Sequence, residues 1–260
     1  MKNVYAITDD GIEIYYDAKG QGLPVVFVAG YFGISDIWQA QTGALSEHFR
    51  TVAYDSRGYG RSAKPLQPEA YSIPRHAEDL KAVIDAAGIN GPVVLVSHSI
   101  GCNIISTFAV KYPQQVAGLV YTACYVDGKQ MRDAGMTIDM VSKAVATPSG
   151  AVAFYQPFGV TKSVGAEAAK WPAHSMQANA AAFLNHEMAD QYDAITAPAL
   201  ILQGEKDVPN PLSFATALQQ ALGGGAEMKI LKGVNHFPPL EAPETVTTFV
   251  QEHAKKCFAE

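Results

Sequence analysis

Ser99 stands in Ser97-His98-Ser99-Ile100-Gly101, directly after the aliphatic run Val93–Val96. The next apolar residues, Ile100, Ile104, Ile105 and Phe108, recur at helical spacing. A buried strand therefore turns into a helix within about three residues, and Ser99 sits at the corner. Such a corner forces strained backbone angles on its central residue. It also demands small neighbours, a demand that Gly101 meets fully and Ser97 in part. The chemistry on offer is nucleophilic. A serine hydroxyl attacks a carbonyl only when a neutral histidine takes its proton and a carboxylate orients that histidine. A serine at a helix start is also an ordinary N-cap, so the corner needs those two partners before it means catalysis.

The elements that would position them follow from the pattern. Residues 4–8 and 12–17 alternate around Asp9-Asp10-Gly11 and predict a hairpin. Strands are predicted at 24–29, 50–54, 92–96, 116–124, 198–202 and 227–231. Helices are predicted from about Asp36, over Pro74–Ala87, from the corner to about Tyr112, over Leu212–Leu222 and from Pro243 to about Phe258. This alternation implies an α/β fold with a doubly wound, mostly parallel sheet. Residues 126–197 break it, with no convincing strand and helical runs at Met131–Ala146, Gly150–Gln156 and Ala173–Tyr192. They read as an inserted all-helical cap on a core made of 1–125 and 198–260.

Composition narrows the class. Hydrophobic residues make up 48% and charged residues 17%, which suits a compact domain with a large core. A net charge of −6 without a dense basic cluster argues against nucleic acid as a partner. No apolar run has the roughly 18 residues of a membrane span, and the N-terminus lacks a signal-peptide core. Cys102, Cys124 and Cys257 have no metal-like spacing and read as reduced thiols, so no metal or cofactor is expected and the cytoplasm is the expected location.

The corner resembles the nucleophile elbow of the α/β-hydrolase fold, with serine in place of the first glycine of Gly-x-Ser-x-Gly. In that family the chain order is serine, acid, histidine, with the acid and histidine just past the last two strands. The loop Gln203-Gly204-Glu205-Lys206-Asp207 matches the family's Gly-x-x-Asp, and Asn235-His236-Phe237 follows the final predicted strand. The resemblance thus implies a triad of Ser99, Asp207 and His236. It also implies an oxyanion hole from the backbone N–H groups of Ile100 and Tyr31. Tyr31 lies in Ala29-Gly30-Tyr31, where relatives carry His-Gly-x. Asp55-x-Arg57-Gly58-x-Gly60-x-Ser62 is a further hallmark, read here as loop bracing.

Other groups read as structural. His98 reads as packing, Asp127 is a reserve for the acid, Glu205 misses the spacing, and Glu241 and Glu244 suit the start of the last helix. His174 and His186 read as surface or core. The expected activity is hydrolysis of a small, neutral, fairly hydrophobic ester or lactone through an acyl-enzyme. The aromatic and apolar cap residues Phe154, Tyr155, Phe158, Trp171, Met176 and Phe183 point that way, with Phe32, Tyr155 and Trp171 expected at the substrate. Carbon–carbon hydrolysis, perhydrolysis and ligand reception on the same fold are the alternatives.

Overall fold

The computed structural model describes residues 5–31, 34–144 and 147–259, with the side chains of Ala144 and Tyr155 left aside. The apolar runs become β1 (Tyr5–Ile7), β2 (Glu13–Lys19), β3 (Pro24–Val28), β4 (Arg50–Tyr54), β5 (Val93–His98), β6 (Val116–Thr122), β7 (Ala199–Gly204) and β8 (Ala226–Leu231). They form one sheet in the order β1-β2-β4-β3-β5-β6-β7-β8. β2 runs antiparallel to β1 and β4, and the other pairings are parallel. Every residue of β5 and β7 is buried, as expected of strands covered on both faces.

The helices are α1 (Gln39–Leu45), α2 (Ile73–Ala86), α3 (Ile100–Lys111), α4 (Gly128–Asp133), α5 (Ile138–Ala144), α6 (Pro148–Tyr155), α7 (Lys162–Ala168), α8 (Ala173–Leu184), α9 (Leu212–Ala221), α10 (Pro238–Glu241) and α11 (Pro243–Ala259). One side of the sheet buries Leu80 and Ile84 of α2, Ile104 and Phe108 of α3 and Leu218 of α9. The other buries Leu45 of α1 and Val246, Val250 and Ala254 of α11. α2 starts one residue before its predicted Pro74 because the Ser72 hydroxyl accepts from Arg75 N–H.

Between β6 and β7 the described chain is helical or irregular throughout. Two of the predicted runs there are broken. The run 131–146 divides at Gly135, whose φ of +91° no regular helix accommodates, and residues 145–146 lie outside the described part. The run 173–192 stops at Leu184 and resumes as a 3₁₀ turn at Ala189–Ala194. α7 was not anticipated.

Helix α8 is tied to the core by a buried polar seam. His76 Nε2 of α2 lies 2.7 Å from Asn179 Oδ1, and Asn179 Nδ2 donates to the Arg57 carbonyl at 3.4 Å. Arg57 is fully buried, with Nε 2.6 Å from Asp79 Oδ2 and Nη1 2.9 Å from Asp10 Oδ2. Asp55 accepts from Ser35 N–H at 2.8 Å and Arg61 Nε at 2.7 Å. The expected bracing role of Asp55 and Arg57 thus has a geometric form.

Burial, aided by the Arg57 charge, pushes His76 down to about 3. A histidine held neutral in the fold but free to protonate when unfolded costs stability as pH falls below its ordinary 6.5. Between pH 7 and 5 that loss comes to about 2 kcal/mol. His76→Gln is expected to reduce the acid sensitivity of stability by about that amount, as read from urea melts at the two pH values.

Candidate active site

The parallel strands deliver their C-terminal ends to one edge, where α/β sheets bind ligands. Ser99 follows β5 with φ +52° and ψ −120°, a conformation an L-residue rarely adopts. Two glycines make the corner possible. A Cβ on Gly101 would stand 2.7 Å from the Val28 carbonyl oxygen, where α3 crosses β3. One on Gly30 would stand 3.0 Å from Ser99 Cβ and 2.9 Å from the His98 carbonyl oxygen. Ser97 takes the place of a third glycine because its hydroxyl turns inward and donates to the Val120 carbonyl at 3.1 Å.

Asp207, past β7, and His236, past β8, are both buried. His236 Nδ1 lies 2.9 Å from Asp207 Oδ1. That oxygen also accepts from Asn210 N–H at 2.9 Å, while Gln203 Nε2 donates to Oδ2 at 3.1 Å. Asp127 lies elsewhere. Its Oδ1 caps α4 through Gln130 N–H, and its Oδ2 accepts from Met188 and Ala189 N–H at 3.1 and 3.2 Å.

Ser99, His236, Ile100 and Tyr31 line one cavity of about 300 Å³. Ile100 opens α3, so its N–H has no partner within the helix. The Tyr31 hydroxyl donates to the Met176 carbonyl at 2.9 Å, tying the loop past β3 to α8. No Asp, Glu, Lys or Arg contributes to the described lining. Phe154, Phe158 and Phe183 do, as do Met131, Met136 and Met140, which the sequence reading passed over.

Two expectations need correction, and one falls outside what the structure describes. Trp171 does not line the cavity: it is buried beside Tyr59, the two rings 6.4 Å apart. Phe32 lies outside the described residues, as does the side chain of Tyr155. His98 is more than packing, since its ring lines the cavity 5.0 Å from the His236 ring. Thr122 Oγ1 spends its hydrogen on the Ser97 carbonyl, so at 3.2 Å from His98 Nδ1 it accepts, which fixes the Nδ1–H tautomer. Burial and the neighbouring His236 hold His98 well below the usual imidazole range, hence neutral.

Glu241 also differs from its expected role at a helix start. It ends α10, and its carboxylate accepts N–H from Asn235 at 2.9 Å and from Phe237 at 2.8 Å, the residues on either side of His236. No local sequence pattern announces this, because the turn of α10 makes the contact. Glu241→Leu is expected to lower kcat roughly 10–100-fold with little change in KM, and Glu241→Gln, which keeps an acceptor, to lower it less.

Comparison with known proteins bears on the fold and the family. A bifunctional esterase/perhydrolase of Acinetobacter calcoaceticus is 27% identical over 93% of this chain and 96% of its own length. A non-heme chloroperoxidase of Streptomyces lividans is 28% identical over 92% of this chain and 95% of its own. The solved structure of Est816, described as an N-acyl homoserine lactone degrading enzyme, is 26% identical. It superposes with a TM-score of 0.82, covering 95% of this chain and 99% of that one. Residues 24–155, which run from β3 through the Ser99 corner into the helices past β6, match the α/β hydrolase fold family. The chain belongs to the α/β-hydrolase fold family.

Proposed function

We propose that this protein is a serine hydrolase of small, neutral, fairly hydrophobic carboxylic esters or lactones. The observation that carries the reading is the Asp207–His236 pair, 2.9 Å apart, whose histidine lines the same cavity as Ser99. Asp207 accepts from His236 Nδ1–H, which leaves Nε2 free to take the Ser99 proton. Ser99 Oγ then attacks the substrate carbonyl, and the N–H groups of Tyr31 and Ile100 hold the oxyanion. His236 returns the proton to the leaving alkoxide, and an acyl ester on Ser99 remains. Water, activated by the same histidine, releases the acid and restores the hydroxyl. The helical segment 126–197 acts as a cap that keeps bulk water from this exchange, and its phenylalanine and methionine side chains accept the apolar part of the substrate.

A relative named as an esterase and perhydrolase supports a second acceptor for the same acyl group, hydrogen peroxide in place of water. The test is a panel of p-nitrophenyl acetate, butanoate and decanoate with small lactones and a carboxylate-bearing ester. Turnover of the short neutral members, with the charged and long ones rejected, is the expected result. A folded protein that turns over none of them overturns the reading. Peracid formation on adding peroxide would establish the second acceptor.

A further inference from the structure

We infer that the cavity takes its ester in one direction, with the alcohol part along Phe158 and out past Val208 and the acyl part against the deep wall. The inference rests on the hydrolase reading above and specifies its substrate class: esters of short acids with longer apolar alcohols. The cavity has a deep wall and an open side. Met131, Val141 and Phe183 line it and are at most 5% exposed. The Phe183 ring lies 5.6 Å from that of Tyr31, the residue whose N–H the mechanism gives to the oxyanion. Val208 and Met140 line the same cavity yet are 74% and 61% exposed, so the cavity reaches solvent at these two side chains.

The base stands on the open side. The Phe158 ring lies 6.4 Å from the His236 ring, and the Phe154 ring lies 5.4 Å from Phe158, each pair edge to face. Both phenylalanines line the cavity and are half-buried, so a bound group can reach them. Val208 and Pro209 directly follow Asp207, the partner of His236, and they too line the cavity. His236 can hand its proton only to a leaving oxygen within hydrogen-bond reach of Nε2. The carbon chain on that oxygen therefore starts beside Phe158 and leads past Val208 to solvent. Ser99 Oγ takes a second position on the tetrahedral carbon and the oxyanion, facing Tyr31 and Ile100, a third. The acyl chain takes the fourth, toward the deep wall. Val208 and Met140 are apolar surface facing water, and an alcohol chain that covers them gains up to about fourfold in affinity per methylene. A long acyl chain gains nothing there and must fit among packed side chains in a cavity of about 300 Å³.

The test compares isomeric esters, hexyl acetate against ethyl hexanoate and octyl acetate against ethyl octanoate. The readout is kcat/KM divided by each ester's rate with hydroxide, which removes differences in intrinsic reactivity. In the wild type each acetate should exceed its isomer by about 10-fold or more. The preference for hexyl acetate over ethyl acetate should fall severalfold in Phe158→Ala and in Val208→Ser. It should stay at the wild-type value in Ile230→Ser, which alters an exposed apolar side chain of β8 away from the cavity lining. Thermal melts check folding, and Val208→Ser, at an exposed position, carries the test if Phe158→Ala does not fold. Ratios near one, or in favour of the long acyl chain, would overturn the inference and leave ester hydrolysis standing. A large preference undiminished in the variants would overturn the assignment to Phe158 and Val208. No turnover of any ester, ethyl acetate and p-nitrophenyl acetate included, would overturn the hydrolase reading and this inference together.

Discussion

Ser99→Ala is expected to lower kcat by roughly 10³–10⁶ while leaving the fold intact. Serine hydrolases lose the whole covalent route when the nucleophile goes, and only the oxyanion donors and binding remain to act on a water attack. The fold survives because the corner is built by Gly101 against Val28 and Gly30 against Ser99 Cβ, and not by the hydroxyl. Alanine keeps the Cβ and so keeps the strain of a φ of +52°. Ser99→Gly removes both, and it is expected to be more stable than Ser99→Ala by about 1 kcal/mol, though equally inactive. Single-turnover kinetics and thermal melts on the two variants read these effects separately. Full activity in Ser99→Ala would sink the nucleophile assignment, and equal melting of the two variants would sink the claim of strain.

The second largest effect is expected at Asp207. Asp207→Asn preserves shape but presents an amide to His236 Nδ1, which stabilises the wrong tautomer and should lower kcat about 10⁴-fold. Asp127 is the informative control, since it is also buried and also follows a central strand. Its carboxylate oxygens are spent on the N–H groups of Gln130, Met188 and Ala189. Asp127→Asn should therefore cost roughly 1 kcal/mol of stability with kcat nearly unchanged. The reverse pattern, with activity lost at Asp127 and retained at Asp207, would move the acid to the loop past β6. Measuring kcat and the melting temperature of both variants decides between them.

Much of the fold and of the candidate site could be read from the residues. Strands β3, β5 and β7 are runs of valine, isoleucine and leucine between turn formers, and α2 and α11 carry apolar stripes at helical spacing. Such local signals need no knowledge of what the segment packs against. The same holds for the corner, where Ser99 lies between a buried run and a glycine. The loops bearing Asp207 and His236 were found from their order after the last two strands, not from any property of an isolated aspartate or histidine.

The helical segment 126–197 was legible only in outline. Its helices are short and their apolar residues face three directions, toward the cavity, the sheet and one another, so periodicity could not say where each one stops. The run 131–146 was read through Gly135 as one helix, and nothing in residues 173–192 marked Leu184 as an end. Trp171 shows the consequence, for an aromatic side chain is as much at home in a seam as in a substrate pocket, and only the position of Tyr59 places it.

What the sequence determined by itself was the set of elements and the chemistry its residue types permit, because hydrophobic periodicity and turn residues act over a few positions at a time. Tertiary structure decided which groups meet. Glu241 reaches the two residues flanking His236, His98 turns its ring to the cavity, and Asn210 ties the loop past β7 to Asp207 and to the Ala123 carbonyl. Those facts depend on how separate strands deliver their ends to one edge of the sheet. A contact between residues far apart in the chain leaves no trace in the local pattern of either.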